Sequence, residues 1–259
     1  MKPSCLVILS GGQDSTTCLF WALTQFEKVH AVTFDYGQRH DRELQAAEKV
    51  FELAARTAYV EQMGLHEFIV MGRILRGASP LVSNAPLEQY SNMHALPGGL
   101  EKTFVPGRNL LFLTVAANLA YSLGVTDVIT GVCEEDFGGY PDCRQAFITS
   151  AQQTIREGLG YIDQKGFADR FCEFAIHTPL MNLTKAESVQ LATRLPGCWE
   201  ALAYTHTAYD GQYPPTGNDH ASLLRAKGFL EAGYPDPLVL RAMREGKMKA
   251  PATSNYNQW

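Results

Sequence analysis

LVILSGGQDST, residues 6 to 16, carries an apolar run into a helix-forming stretch through two adjacent glycines. Leu6, Val7, Ile8 and Leu9 read as a buried strand, and a helix is expected from about Asp14 to Phe26. A helix N-terminus presents unpaired backbone N–H groups and the positive end of its dipole. Gly11 and Gly12 let phosphate oxygens approach that backbone with no Cβ in the way, and Ser10, Ser15 and Thr16 add hydroxyl donors around Gln13. The stretch therefore reads as a phosphate cradle. Asp14 either caps the helix or holds a magnesium ion through water. It is not a Walker loop, because no G-K-[ST] follows at the required spacing, and G-x-G-x-x-G is absent.

The same alternation of strand and helix continues outward. HAVTFDYG (30–37), EFIVMG (67–72), DVITGV (127–132) and EFAIHTPL (173–180) read as strands. Helices are expected over about 41–56, 106–122 and 145–158, with a further one opening near Thr184. This order predicts an α/β fold, a doubly wound parallel five-stranded sheet with helices on both faces. In such sheets ligands bind at the carboxyl ends of the strands, where SGGQDST, FDYGQ, GVCEEDF and HTPL would converge. The segment 73–102, rich in Gly, Pro, Ser and Asn, reads as irregular. From Gly197 the periodicity degrades, so residues 1–196 are expected as the main domain and 197–259 as a small irregular C-terminal segment.

Composition sets the outer bounds. A chain of 259 residues with 46% hydrophobic and 19% charged residues suits one substantial core with a modest appendage. No apolar run approaches bilayer length and no cleavable signal precedes the glycines, which leads to the expectation of a cytoplasmic protein with no membrane partner. A net charge of -5 argues against a broad nucleic-acid surface. The six cysteines include no C-x-x-C pair and read as buried reduced thiols.

S-G-G-x-D-S/T after an N-terminal strand resembles the signature of the PP-loop ATP pyrophosphatases, which adenylate a carbonyl or carboxyl oxygen and release pyrophosphate. TFDYGQRH (33–40), TFVPGRNLLFLTVAAN (103–118), GVCEEDFGGYPDCRQAF (131–147) and TPLMNLTKAE (178–187) narrow the likeness. Together they resemble the 7-cyano-7-deazaguanine synthase (QueC-like) family, over residues 5 to 195 or so. The resemblance implies ATP and Mg²⁺ as cofactors and a small deazaguanine acid as substrate. It implies that Ser10, Gly11, Gly12, Gln13, Asp14, Ser15, Thr16, Thr33 and Phe34 serve the nucleotide, with Lys185 meeting pyrophosphate. Asp14, Lys185 and Arg108 would form the catalytic set. Asn109, Glu134, Asp136, Phe137, Tyr140, Asp142 and Arg144 would face the substrate, since a carboxylate accepts from a guanine-like donor edge and an aromatic stacks on its face. A homodimer is also implied.

The family's zinc cysteines are missing. By the frame THTAYDG (205–211) and TGNDHASLLRAKGF (216–229) their places are taken by Ala208, Thr216, Asp219 and Ser222, which leads to the expectation of no structural zinc. His206, Asp219 and His220 lack a knuckle spacing, and the histidines read as surface residues. Packing of Tyr204, Tyr209, Tyr213, Phe229 and Leu230, or a partner, would then order the tail. The nitrogen acceptor stays open between ammonia, which ends as a nitrile, and an amine on a protein partner, as in QueC-like antiviral systems. A catalytically silent binding module is the reading from another class, and chemistry on a tRNA base is a weaker third.

Overall fold

The computed structural model describes residues 1–39, 41–75, 77, 79–83, 101–134, 140–160, 173–217 and 219–258. Five strands form one sheet: β1 (Lys2–Ile8), β2 (Phe26–Asp35), β3 (Met63–Val70), β4 (Asp127–Ile129) and β5 (Ala175–His177). Every pairing is parallel and the strand order is β3-β2-β1-β4-β5. The expected doubly wound α/β sheet is therefore the one found. β1 is central and alternates between two cores. Cys5, Val7 and Leu9 enter one with helices α1 (Gln13–Gln25), α2 (Arg42–Ala54), α5 (Lys185–Arg194) and α6 (Cys198–Leu202). Leu6 enters the other with α3 (Arg108–Leu123) and α4 (Gln145–Gly158). Burial on both faces explains why the strand reads as a continuous apolar run.

The chain leaves β1 for β2 on one side, and β4 flanks the other. A crevice opens between the carboxyl ends of β1 and β4, at the point where the winding reverses. Gly11 makes the turn into α1 possible. Its φ of 82° is left-handed, and a Cβ there would lie 2.4 Å from the Glu43 carbonyl oxygen. Gly131 holds the opposite lip close, since a Cβ on it would come within 3.0 Å of the backbone of Asp14 and Ser15. β4 ends at Ile129, earlier than the apolar run to residue 132 suggests, and the Thr130 N–H still donates to the His177 carbonyl at 3.0 Å.

The stretch beyond Gly197, expected as an irregular tail, contains α6, α7 (His220–Ala232) and α8 (Pro237–Arg244). Two polar caps start the last two helices: Asp219 accepts from the Ser222 N–H at 3.0 Å and Asp236 from the Leu238 N–H at 2.9 Å. The hub of the segment is Arg225, 4% exposed. Its guanidinium pairs bidentately with Asp236 at 2.7 and 2.8 Å and donates to Thr205 at 2.7 Å and to the Leu202 carbonyl at 3.2 Å. Phe229 is fully buried as expected, whereas Leu230 is exposed. Arg241 lies over the rings of Tyr204 and Tyr213 at 4.5 and 4.6 Å.

Candidate active site

The crevice is a cavity of about 310 Å³. Ser10, Gly12, Gln13, Asp14 and Ser15 line it from the glycine turn, Thr33 and Phe34 from the end of β2, and Arg108, Asn109 and Tyr140 from the α3 side. Lys185 lines it from the first turn of α5. The turn is held by its own hydroxyls. Ser15 Oγ accepts from the Ser10 N–H at 3.2 Å, lies 3.0 Å from Ser10 Oγ and donates to the Gly12 carbonyl at 3.2 Å. Gly12 occupies the N-cap of α1. Asp14 thus has no capping role; it sits in the first turn, and its Oδ2 accepts from Lys185 Nζ at 2.7 Å. Thr16 is fully buried beneath the turn, and among the described residues neither its Oγ1 nor the Gln13 Nε2 has a hydrogen-bond partner.

Lys185 is only 9% exposed because α7 closes over it: a Cβ on Gly228 would lie 2.8 Å from the Lys185 Cβ. A capping box on Thr184 and Glu187 sets the start of α5 and so the direction of the lysine. Thr33 lies at the floor with its hydroxyl committed, donating to the Leu9 carbonyl at 2.7 Å and meeting His66 Nε2 at 2.8 Å. Phe34 stacks on Phe112 at 4.5 Å.

Arg108 begins α3 and faces Tyr36, Tyr140, Tyr209 and Asp142. Burial works against its charge, and those oxygens outweigh burial and hold the guanidinium proton more firmly than usual. Asn109 serves the neighbouring loop, its Nδ2 donating to the Asp142 carbonyl at 3.1 Å. The Asp142 carboxyl is buried below the cavity wall, 3.4 Å from the Asn109 N–H; burial raises its pKa, and Arg108 and the backbone bonds oppose that rise. Glu134 caps α4, accepting from the Gln145 N–H at 2.8 Å, and Arg144 is exposed at the N-cap of the same helix. None of Glu134, Asp142 and Arg144 lines the cavity. Asp136 and Phe137 lie outside the described residues.

The cavity also contains residues that sequence reading passed over or read differently. His206 and His220, read as surface histidines, are largely buried and line it, because the C-terminal segment folds back across its mouth. The His206 N–H donates to the Gly11 carbonyl at 2.9 Å and its Nε2 meets the Ala208 carbonyl at 2.8 Å. Glu101, from the stretch read as irregular, is 5% exposed on the same wall. Only its position before TFVPGRN signals it in the sequence.

The positions of the family's zinc cysteines do not suit a metal. Ala208 is buried, Thr216 donates to Asp210 at 3.0 Å, and both Asp219 oxygens accept from Ser222, at 3.0 Å from the N–H and 2.6 Å from the hydroxyl. Among the described residues no three His, Cys, Asp or Glu side chains converge in a metal-binding group. The described cysteines are buried, as the sequence suggests, and burial pushes the Cys5, Cys18 and Cys198 thiols well up. No helix among the described residues is long and apolar enough to cross a membrane.

Comparison with known proteins gives the family. The family model described as "Queuosine biosynthesis protein QueC" matches residues 4–233. A 7-cyano-7-deazaguanine synthase of Gloeobacter violaceus is 50% identical over 235 residues, covering 90% of this chain and 94% of that one. Those of Chromobacterium violaceum and Bacillus subtilis are 47% and 40% identical, covering 93% and 89% of this chain and 95% of each relative. Among solved structures, a 4-thiouridine synthetase in an RNA complex with bound ATP is 15% identical with a TM-score of 0.48, covering 95% of this chain and 54% of that one. With a family model spanning the glycine turn, Lys185 and the whole of α7, the chain belongs to the QueC family of queuosine-biosynthesis proteins.

Proposed function

We propose that this protein uses ATP to adenylate the carboxylate of 7-carboxy-7-deazaguanine and passes the acyl group to a nitrogen nucleophile. The observation that carries the proposal is the Asp14–Lys185 pair, 2.7 Å apart at the mouth of the glycine turn and inside the cavity that Arg108 lines. A carboxylate oxygen is a poor leaving group, and AMP is a good one. A substrate carboxylate oxygen attacks the α-phosphorus of ATP, the bond to the bridging oxygen breaks, and pyrophosphate departs with the electron pair. The amine nitrogen then attacks the acyl carbon, the acyl–oxygen bond to AMP breaks, and the nitrogen loses a proton to solvent. Ammonia gives the primary amide. A second adenylation, on the amide oxygen, releases pyrophosphate again, and loss of AMP and of both N–H protons from the nitrogen yields 7-cyano-7-deazaguanine.

In this reading the backbone N–H groups of α1 and the Ser10 hydroxyl bind phosphate oxygens, while the Ser15 hydroxyl holds the turn. Lys185 neutralises charge as it develops on departing pyrophosphate, and Arg108 holds the substrate carboxylate against ATP. A magnesium ion arriving with the triphosphate would be held by Asp14, the carboxylate in the first turn of α1, which suits an ion that keeps several waters and takes few protein ligands.

Incubation with ATP and 7-carboxy-7-deazaguanine tests the proposal: pyrophosphate release should require both. Product mass then separates nitrile and primary amide from a conjugate with a protein amine. Binding of both ligands with no turnover across ammonium and other amines would favour a silent binding module instead.

A further inference from the structure

The half-buried Arg108 and the open end of α1 furnish the cavity for anions, and Lys185 balances Asp14. Two further carboxylates line it, Glu43 and Glu101, and of these Glu101 is the buried one. Its Oε2 accepts from Thr103 Oγ1 at 2.7 Å and from the Tyr140 hydroxyl at 3.1 Å, and those two hydroxyls lie 2.5 Å apart. Its Oε1 stands 3.9 Å from His220 Nδ1, beyond hydrogen-bond length, and no other donor among the described residues reaches it. The carboxylate is thus held firmly by one oxygen and offers the other. Glu101 is 5% exposed, so water reaches that oxygen poorly, and a cation with N–H donors would match it.

Resting on the adenylation proposed above, we infer that Glu101, braced by Thr103 and Tyr140 and flanked by His220, is the seat for the nitrogen acceptor, bound as a protonated amine that gives one proton to the Glu101 carboxylate before its nitrogen attacks. The reaction needs a nitrogen nucleophile, and ammonia or a primary amine is mostly a cation at neutral pH. Such a cation is compact and carries several N–H donors, which suits a single free carboxylate oxygen. The main competitor is the donor edge of the heterocycle. That edge would pair with both carboxylate oxygens in parallel, and Oε2 is already occupied by two O–H donors. A divalent metal is a poorer occupant, since no further carboxylate, thiol or imidazole set converges here among the described residues. The seat names the class of acceptor, ammonium or a primary alkylammonium.

The test is steady-state kinetics of the full-length protein with ATP, 7-carboxy-7-deazaguanine and varied ammonium chloride, repeated with methylammonium. Glu101→Gln should raise the apparent KM for ammonium about tenfold or more, as loss of a charge-assisted bond predicts, with the KM values for ATP and the acid within about twofold. Glu101→Asp should recover part of the loss. Thr103→Val, which removes one brace, should raise the ammonium KM by a smaller factor and serves if Glu101→Gln does not fold. An unchanged ammonium KM, or a rise confined to the KM of the acid, overturns the seat while pyrophosphate release keeps the activation reading intact. No pyrophosphate release by the unsubstituted protein would overturn both.

Discussion

Lys185 donates to Asp14 from 171 positions away, and both side chains lie largely out of water. Removing the ammonium would deprive departing pyrophosphate of its cation. Lys185→Met is therefore expected to slow pyrophosphate release by about 100-fold or more, read by a coupled phosphate assay. Lys185→Arg should not restore the rate, since a longer, planar guanidinium cannot place its charge where Nζ meets Asp14 at 2.7 Å. His66 makes a different prediction. It lies between the rings of Phe51 and Phe68, at 4.6 and 4.5 Å, and burial lowers its pKa from 6.5 to about 4. A folded-state pKa below the unfolded one gives stability that is present above pH 6.5 and is lost as the pH falls towards about 4. The urea midpoint should fall over that window, and His66→Gln should flatten this part of the slope.

At the scale of elements, two junctions decide whether the site exists: the turn from β1 into α1, and the crossing of α7 over α5. Gly11→Ala would combine left-handed strain with a clash against the Glu43 carbonyl, neither of which a side-chain rotation relieves. It should cost about 2 to 4 kcal/mol in denaturant unfolding. Gly228→Ala meets the Cβ and backbone of Lys185, so α7 must shift by a few tenths of an ångström. Its expected signature is a loss of about 1 to 3 kcal/mol together with a lower kcat, because the element that yields is the one that sets the lysine. Much at this scale was legible from local patterns. α4 spans Gln145–Gly158, as its periodicity indicates. β1 begins as early as Lys2, where sequence reading begins it at Leu6, because Lys2 to Cys5 pair with β2 and pairing leaves no hydropathy signal.

For the whole molecule, the question is what holds the C-terminal helices together. Arg225 joins α7 to Asp236 at the N-cap of α8 and to the end of α6, and the Tyr256 hydroxyl accepts from the Asp236 N–H at 3.0 Å. Arg225→Met would leave Asp236 buried without its cation, at a cost of about 3 to 5 kcal/mol in unfolding free energy. A chelator should leave the thermal midpoint of the unsubstituted protein unchanged, whereas a zinc-held segment would lose its binding free energy and melt earlier. Thermal melts with and without chelator, on both proteins, measure the two effects.

The sequence by itself determined the alternation of strand and helix, the parallel sheet, the glycine turn with its open helix end, and the family, because each is written in residues a few positions apart. Hydrophobic period and turn chemistry act over that range. The tertiary structure alone decided that Asp14 meets Lys185, that Glu101, His206 and His220 share one cavity, and that Asp142 lies buried below its wall while Glu134 spends its carboxylate on capping α4. Those meetings depend on which helix covers which strand end and how closely α7 settles on α5, and such packing is a property of the assembled chain rather than of any short stretch of it.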